Sequence, residues 1–139
     1  MRLDGAECRR RMAEARVAHL ATADATGHPH VVPITFALDG DRLVTAVDHK
    51  PKTTTNLKRL RNITANPSVS VLADRYDDDW GRLWWVRADG HATIVADSND
   101  LGLLIAKYPQ YQAAAPTGPV ILIAIDSWSG WSSRQAGGR

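Results

Sequence analysis

A mainly β fold, closing into one small barrel with short flanking helices, is what this sequence predicts, and three observations carry the prediction. Segments with a two-residue apolar beat recur along the chain, as in Val17-Ala18-His19-Leu20-Ala21-Thr22 and Ser68-Val69-Ser70-Val71-Leu72-Ala73. Short turn sequences such as Asp24-Ala25-Thr26-Gly27 and Asp39-Gly40-Asp41 separate several of them. The chain has 139 residues, room for one domain (1–139) with a real core. About six strands in so short a chain favour a barrel, because closure removes the edges an open sheet exposes.

The N-terminal stretch from Asp4 to about Arg16 reads as a helix. Asp4 can cap it and Glu7 can reach back, with Leu3 and Cys8 as the staple. Cys8, Met12 and Ala15 form a narrow apolar stripe, leaving Arg9, Arg10 and Arg11 as a solvated face. Val17–Thr22 is then the first strand, His30–Leu38 the second and Arg42–Val47 the third, an expected antiparallel meander. Pro33 interrupts the second strand. It cannot donate to a ladder, so it marks either a bulge or a place where a ligand or subunit approaches the backbone.

Thr53–Asn62 reads as a short helix with Leu57, Leu60 and Ile63 inward, followed by the strand Ser68–Ala73 and an acidic loop, Asp74–Asp79. Arg82–Val86 and His91–Ala96 are β-like. Asp89-Gly90 between them suits a hairpin turn or a bulge in one long strand. A helix from Ser98 or Asn99 turns Leu101, Leu104 and Ile105 inward, and Tyr108–Pro116 reads as a polar loop. Pro119–Asp126 is the most apolar run and predicts a strand buried on both faces. The tail from Ser127, with Trp128 and Trp131, is expected to fray.

Composition narrows the function classes. Hydrophobic residues make up 44% and charged residues 23%, as in folded globular domains, which excludes a disordered or fibrous chain. No stretch approaches the ~20 apolar residues that cross a bilayer, and MRLDGAECRRRM lacks the apolar run of a signal peptide. Cys8 is the single cysteine, so no disulfide framework exists within the chain and a cytoplasmic, reducing location is expected. Its helical setting suits a small core residue better than a nucleophile. A net charge of +2, from 17 basic and 15 acidic residues, argues against a general nucleic-acid binder.

The distribution of charge says more. From His49 to Ala73 there is no Asp or Glu, whereas Lys50, Lys52, Lys58, Arg59 and Arg61 all fall there. Lys50-Pro51-Lys52-Thr53-Thr54-Thr55-Asn56 follows a strand and opens the expected helix, where unpaired N–H groups and the helix dipole favour an anion. Lysines and threonines in place of the usual acids suit a phosphate. The plain alternative is Thr53 as N-cap beside solvated lysines. Lys58, Arg59 and Arg61 are expected to face solvent or a partner.

Other chemistry has less support. His28 and His30 lack acidic or cysteine partners at metal-ligand spacing, so no metal site is expected. His19 reads as a satisfied barrel residue, and His49 as a possible helper at the anion site. No GxSxG or P-loop occurs and no catalytic acid–base pair stands out. Trp84 and Trp85 must point to opposite faces of their strand, one of them free to meet a subunit or ligand.

Taken in order, Leu20-Ala21-Thr22, Gly27-His28-Pro29-His30-Val31-Val32-Pro33-Ile34, Lys50-Pro51-Lys52-Thr53, Asn56-Leu57, Asn66-Pro67-Ser68-Val69-Ser70-Val71 and Asp89-Gly90-His91-Ala92 resemble the pyridoxamine-phosphate-oxidase-like split β-barrel family. Within it the pattern is most similar to the actinobacterial branch that uses the deazaflavin coenzyme F420. The resemblance covers nearly the whole chain. It implies a six-stranded split barrel (the FMN-binding split barrel), a homodimer, and cofactor sites at the subunit junctions. It implies that Lys50, Lys52 and Thr53, with Thr54 and Asn56 beside them, hold the cofactor phosphate. Pro33, Ile34, Thr45 and Trp85 would line the ring site. It also favours one bent strand at Asp89-Gly90. The arginines that confer vitamin B6 phosphate specificity have no placeable equivalents, which argues against pyridoxamine phosphate as substrate. The function so implied is an F420-dependent oxidoreductase acting on a small unsaturated or quinone-like molecule. The alternatives are an FMN-binding oxidoreductase or flavin carrier, and a dimeric polyanion-binding module using Lys58, Arg59 and Arg61.

Overall fold

A computed structural model describes residues 1–47 and 57–133. Among these, seven strands form one antiparallel sheet in the order β2-β1-β5-β6-β7-β4-β3. The strands are β1 (Ala18–Ala23), β2 (Pro29–Ile34), β3 (Ala37–Asp39), β4 (Arg42–Ala46), β5 (Ser68–Arg75), β6 (Trp84–Val95) and β7 (Val120–Ser132). Four helices flank them: α1 (Gly5–Glu14), α2 (Lys58–Ala65), α3 (Leu101–Lys107) and α4 (Pro109–Ala113).

The sheet must be curled. β2 and β3 lie at opposite ends of the strand order, yet only Thr35 and Phe36 separate Ile34 from Ala37. Three peptide steps span no more than about 11 Å, so the two edges are brought side by side. They are joined by chain and not by a ladder, which is the split in the barrel. The expected second strand is thus two strands on opposite edges, and six expected strands become seven. The expected meander is corrected with it: β1 pairs with β2 and β3 with β4, but β4 continues onto β7.

Alternation fills the interior. Ala18, Leu20, Phe36, Leu43, Val71, Val86, Ala88 and Ile123 are buried in one core cluster with Cys8 and Met12 of α1. Leu104 and Tyr108 cover a second cluster with Val44, Ala46 and Val120. Leu103 packs there with Leu101, rather than the expected Ile105. His19 departs from its expected interior place and is exposed on β1.

α1 begins as expected, with the Asp4 carboxylate accepting the Glu7 N–H at 2.9 Å. The Glu7 carboxylate binds Arg10 and Arg11. The arginine row is therefore more than a solvated face: Arg9 pairs with Asp41 at 2.8 Å, and Arg11 lies 5.4 Å from the centre of the Trp84 ring.

β6 is one strand, as the family resemblance favoured, with its register against β7 shifting between Asp89 and Gly90. Asp89 faces Ser127 and Gly90 faces Ile125, so the extra residue is Asp126 of β7. Gly90 is required opposite it, because a Cβ there would collide with the Ala124 carbonyl oxygen. The expected fraying tail is corrected up to Ser132. Met1 N donates to Ser132 O at 2.7 Å, Leu3 N donates to Gly130 O at 3.0 Å, and Trp128 Nε1 donates to Asp41 at 2.8 Å. Likewise the expected loop after Tyr108 contains α4, started by Pro109 at its first turn.

Candidate functional site

The break between β2 and β3 determines where a ligand can approach the backbone. Pro33 lies on β2, an end strand of the sheet, opposite His19. A residue without an N–H is tolerated there because no further ladder needs it. Thr45 is buried on β4, and its hydroxyl donates to the Thr35 carbonyl at 2.7 Å. That bond satisfies an acceptor the broken ladder leaves over and pins the gap open at a fixed width.

A cleft of about 170 Å³ results, lined by Val17, Pro33, Ile34, Thr35, Thr45, Ala46 and Arg59. Three of the expected ring-site residues, Pro33, Ile34 and Thr45, thus come together. Trp85 does not line this cleft. It lies on β6 between Asp74 and Trp131, with the Arg87 guanidinium 5.9 Å from its ring centre. Lys50, Lys52, Thr53, Thr54 and Asn56, together with His49, lie outside the described residues.

Arg59 is the residue that sequence reasoning misplaced. Expected to face outward, it is half-buried on α2 and stands in the cleft wall. The helix itself carries the signal: Arg59 is three residues before Asn62 and four before Ile63, and both of these are buried. Asn62 Nδ2 donates to Thr22 Oγ1 at 3.0 Å, which fixes this face of α2 on β1. Arg61, by contrast, is exposed.

Beyond Thr35 the wall continues into a knot of polar contacts. The Thr35 and Tyr111 hydroxyls are 2.7 Å apart. The buried Tyr108 hydroxyl accepts from Phe36 N at 3.1 Å and lies 2.9 Å from Arg16 O and 3.1 Å from Phe36 O. Burial raises its pKa. Lys107 Nζ donates to Ala15 O at 2.7 Å and sits 3.8 Å from the centre of the Phe36 ring. Half-buried and close to Arg16, this ammonium is lowered to a pKa of about 8.

Known proteins fit this architecture. A family model described as Pyridoxamine 5'-phosphate oxidase matches residues 5–132. The chain belongs to that family. No curated protein matches it. Among solved structures it is similar to an FAD-binding protein from Mesorhizobium loti, with 24% identity, a TM-score of 0.70, and 94% of this chain and 95% of the other covered. A conserved hypothetical protein from Mycobacterium tuberculosis superposes with a TM-score of 0.75 at 19% identity, covering 95% and 86%. An FAD-binding protein from Mycobacterium smegmatis does so with a TM-score of 0.65 at 20% identity, covering 94% and 96%. At such identities the likeness concerns the fold, which is the family's split barrel.

The family's barrel explains why one stretch of chain could serve this cleft. Ala46, at the end of β4, and Arg59, in the first turn of α2, both stand in the cleft wall. Cleft-wall residues therefore stand in the described chain on both sides of positions 48–56, the stretch that holds Asp48, Lys50 and Lys52. Among the described residues, no helix is long and apolar enough to cross a membrane.

Proposed function

We propose that this chain binds the deazaflavin coenzyme F420 with its ring in the Pro33–Ile34–Thr45 cleft and its phosphate on Lys50, Lys52 and Thr53. The observation that carries the reading is that Ala46 and Arg59, which flank positions 48–56 in the described chain, line one cleft. The donor set fits such a group. Val17, Pro33, Ile34 and Ala46 offer apolar contact to a flat ring, and Arg59 adds a cation. Thr54 and Asn56 complete the polar set. A bound deazaflavin supplies or takes up hydride, so the protein acts as an oxidoreductase on a small unsaturated or quinone-like substrate.

At about 170 Å³ the cleft is smaller than the roughly 300–1,000 Å³ of pockets that enclose a ligand. One chain thus supplies part of a wall, and a homodimer supplies the rest. Val17 at 50% exposure and Val31 at 60% lie on the β1–β2 side of the cleft, where apolar surface suits a second copy. Trp85 belongs to the ring site in that assembly. The lone, buried Cys8 accords with a cytoplasmic home.

A second reading keeps the cleft and places FMN in it, as an oxidoreductase or flavin carrier. The two structural relatives described as FAD-binding support a flavin ring there. The polyanion reading loses Arg59 from its basic face.

Titration of the full chain with F420, followed by fluorescence polarisation, and with FMN, followed by flavin fluorescence, separates the first two readings. Tighter binding of F420 is expected, and tighter FMN binding would replace the deazaflavin with the flavin. Lys52→Ala should weaken cofactor binding by about 1.5–3 kcal/mol. Wild-type affinity in that variant would remove the phosphate assignment.

A further inference from the structure

The cleft has a neighbour. On the other side of Thr35 a second pocket, about 530 Å³, is lined by Arg16, Thr35, Tyr108, Pro109, Gln110 and Tyr111. Thr35 belongs to both walls, and Arg16 and Val17 continue from one to the other. Nothing in the proposed cofactor site uses this second space.

Its charge is unusual for the molecule. The arginines of α1 each have a carboxylate: Arg9 has Asp41, while Arg10 and Arg11 share Glu7. Arg16 and Lys107 stand together with none among the described residues. Glu14 goes to Arg10, and Asp100 goes to Arg42. Two cations held close without an acid repel one another, and the structure keeps them so by main-chain bonds. Arg16 donates to Lys107 O at 3.0 Å, and Lys107 donates to Ala15 O at 2.7 Å.

The corner is also preorganised. The Tyr108 hydroxyl holds the Arg16 main chain, and the Arg16 guanidinium lies 5.6 Å from the centre of the Tyr108 ring. Tyr108 and Tyr111 meet edge to face with centroids 5.6 Å apart. One guanidinium nitrogen is committed to Lys107 O, and the rest of the planar fork is available to accept a carboxylate in two-point fashion. Around it stand aromatic and prolyl walls, with the Thr35, Gln110 and Tyr111 side chains as orienting polar groups.

We infer that this pocket is the substrate site and that it takes a small planar, unsaturated carboxylate. The carboxylate sits on Arg16, and the unsaturated end points past Thr35 toward Pro33. This inference rests on the proposed cofactor cleft for its meaning as a substrate site, but not for the binding itself. Arg16 is then the residue that selects the substrate class, an acid over its neutral analogues.

The test uses the full chain without cofactor, titrated with cinnamate, methyl cinnamate and inorganic phosphate by ligand-observed NMR. Cinnamate is expected to bind at least tenfold more tightly than its ester. Arg16→Gln should weaken cinnamate at least tenfold and leave the ester unchanged. Cinnamate should stay bound when F420 is added at saturation. Equal binding of acid and ester, an unchanged Arg16→Gln, displacement by equimolar phosphate, or expulsion by F420 would each overturn the inference. Should Arg16→Gln fail to fold, the acid–ester comparison on the wild-type chain decides alone. Failure of the wild-type chain to bind F420 or FMN would count against the cofactor reading, whereas the cinnamate result judges the pocket.

Discussion

The two sides of the barrel solve the same problem in opposite ways. On the α1 side, β6 and β7 run together for twelve register pairs, and the chain's first residues add bonds to the end of β7. On the side of Thr35, the ladder is cut and its left-over backbone groups are met by the Thr45 and Tyr108 side chains, while the Tyr111 hydroxyl bonds to that of Thr35. On the closed side the arginines of α1 have acids. On the open side two clefts meet at Thr35, and Arg16 and Lys107 have no carboxylate partner among the described residues. Side-chain bonds can hold a gap at fixed width where backbone ladders would close it, and that is where binding chemistry becomes possible.

Backbone contact on the closed side should be the least forgiving. Gly90→Ala places a methyl group against the Ala124 carbonyl at the bulge, and neither strand can move without breaking the longest ladder in the barrel. A loss of about 3 kcal/mol or more is expected in urea unfolding. A variant within 0.5 kcal/mol of wild type would mean that the bulge relaxes, and the closed side would be softer than its ladder implies.

Thr45→Val probes the open side with a smaller change. It keeps the shape of the buried side chain but leaves the Thr35 carbonyl without its donor. About 1–2 kcal/mol of stability should be lost. F420 affinity should fall as well, because the width of the gap is no longer fixed. Stability lost with full cofactor affinity would show that the gap is held by Tyr111 and Tyr108 alone.

How far the sequence foretold each side follows from the same physics. The closed side was legible because alternation and turn chemistry are local: Asp4 caps α1, and Cys8 and Met12 turn inward, as expected. Its misreading was of reach. Trp128 and Trp131 looked like a loose tail because their partners, Asp41 and Trp85, are far away in sequence. On the open side, Pro33 advertised an interruption, and the resemblance grouped it with Ile34 and Thr45. The two-residue crossing at Thr35-Phe36 stayed hidden, since apolar alternation runs straight through it while the chain changes edges. Arg59 was misplaced because a cation was weighed by type and not by its spacing from Asn62 and Ile63. Tyr108 and Tyr111 bond to groups some 70 residues away, which no local pattern encodes.

The smallest effect, and the one that separates the two sides by charge, is the pH dependence of stability. On the closed side, hydrogen bonds from Arg10 and Arg11 hold the Glu7 carboxyl down from 4.5 to about 2, against the opposing effect of its burial. A carboxyl whose folded pKa lies below its unfolded value binds fewer protons when folded, so its contribution is complete above about 4.5 and fades as pH falls toward 2. On the open side, desolvation first and Arg16 second lower Lys107 from 10.5 to about 8. Here too the folded state binds fewer protons, but the window is alkaline. The cost of the buried charge is fully felt below about 8 and is relieved as pH rises from 8 toward 10.5. Glu7→Gln should therefore flatten the acid limb of a stability–pH curve and leave the alkaline limb intact, and Lys107→Met should do the reverse. If Glu7→Gln also altered the alkaline limb, the two charge sets would be coupled through α1, and the separation of the Glu7 side from the Lys107 side would fail.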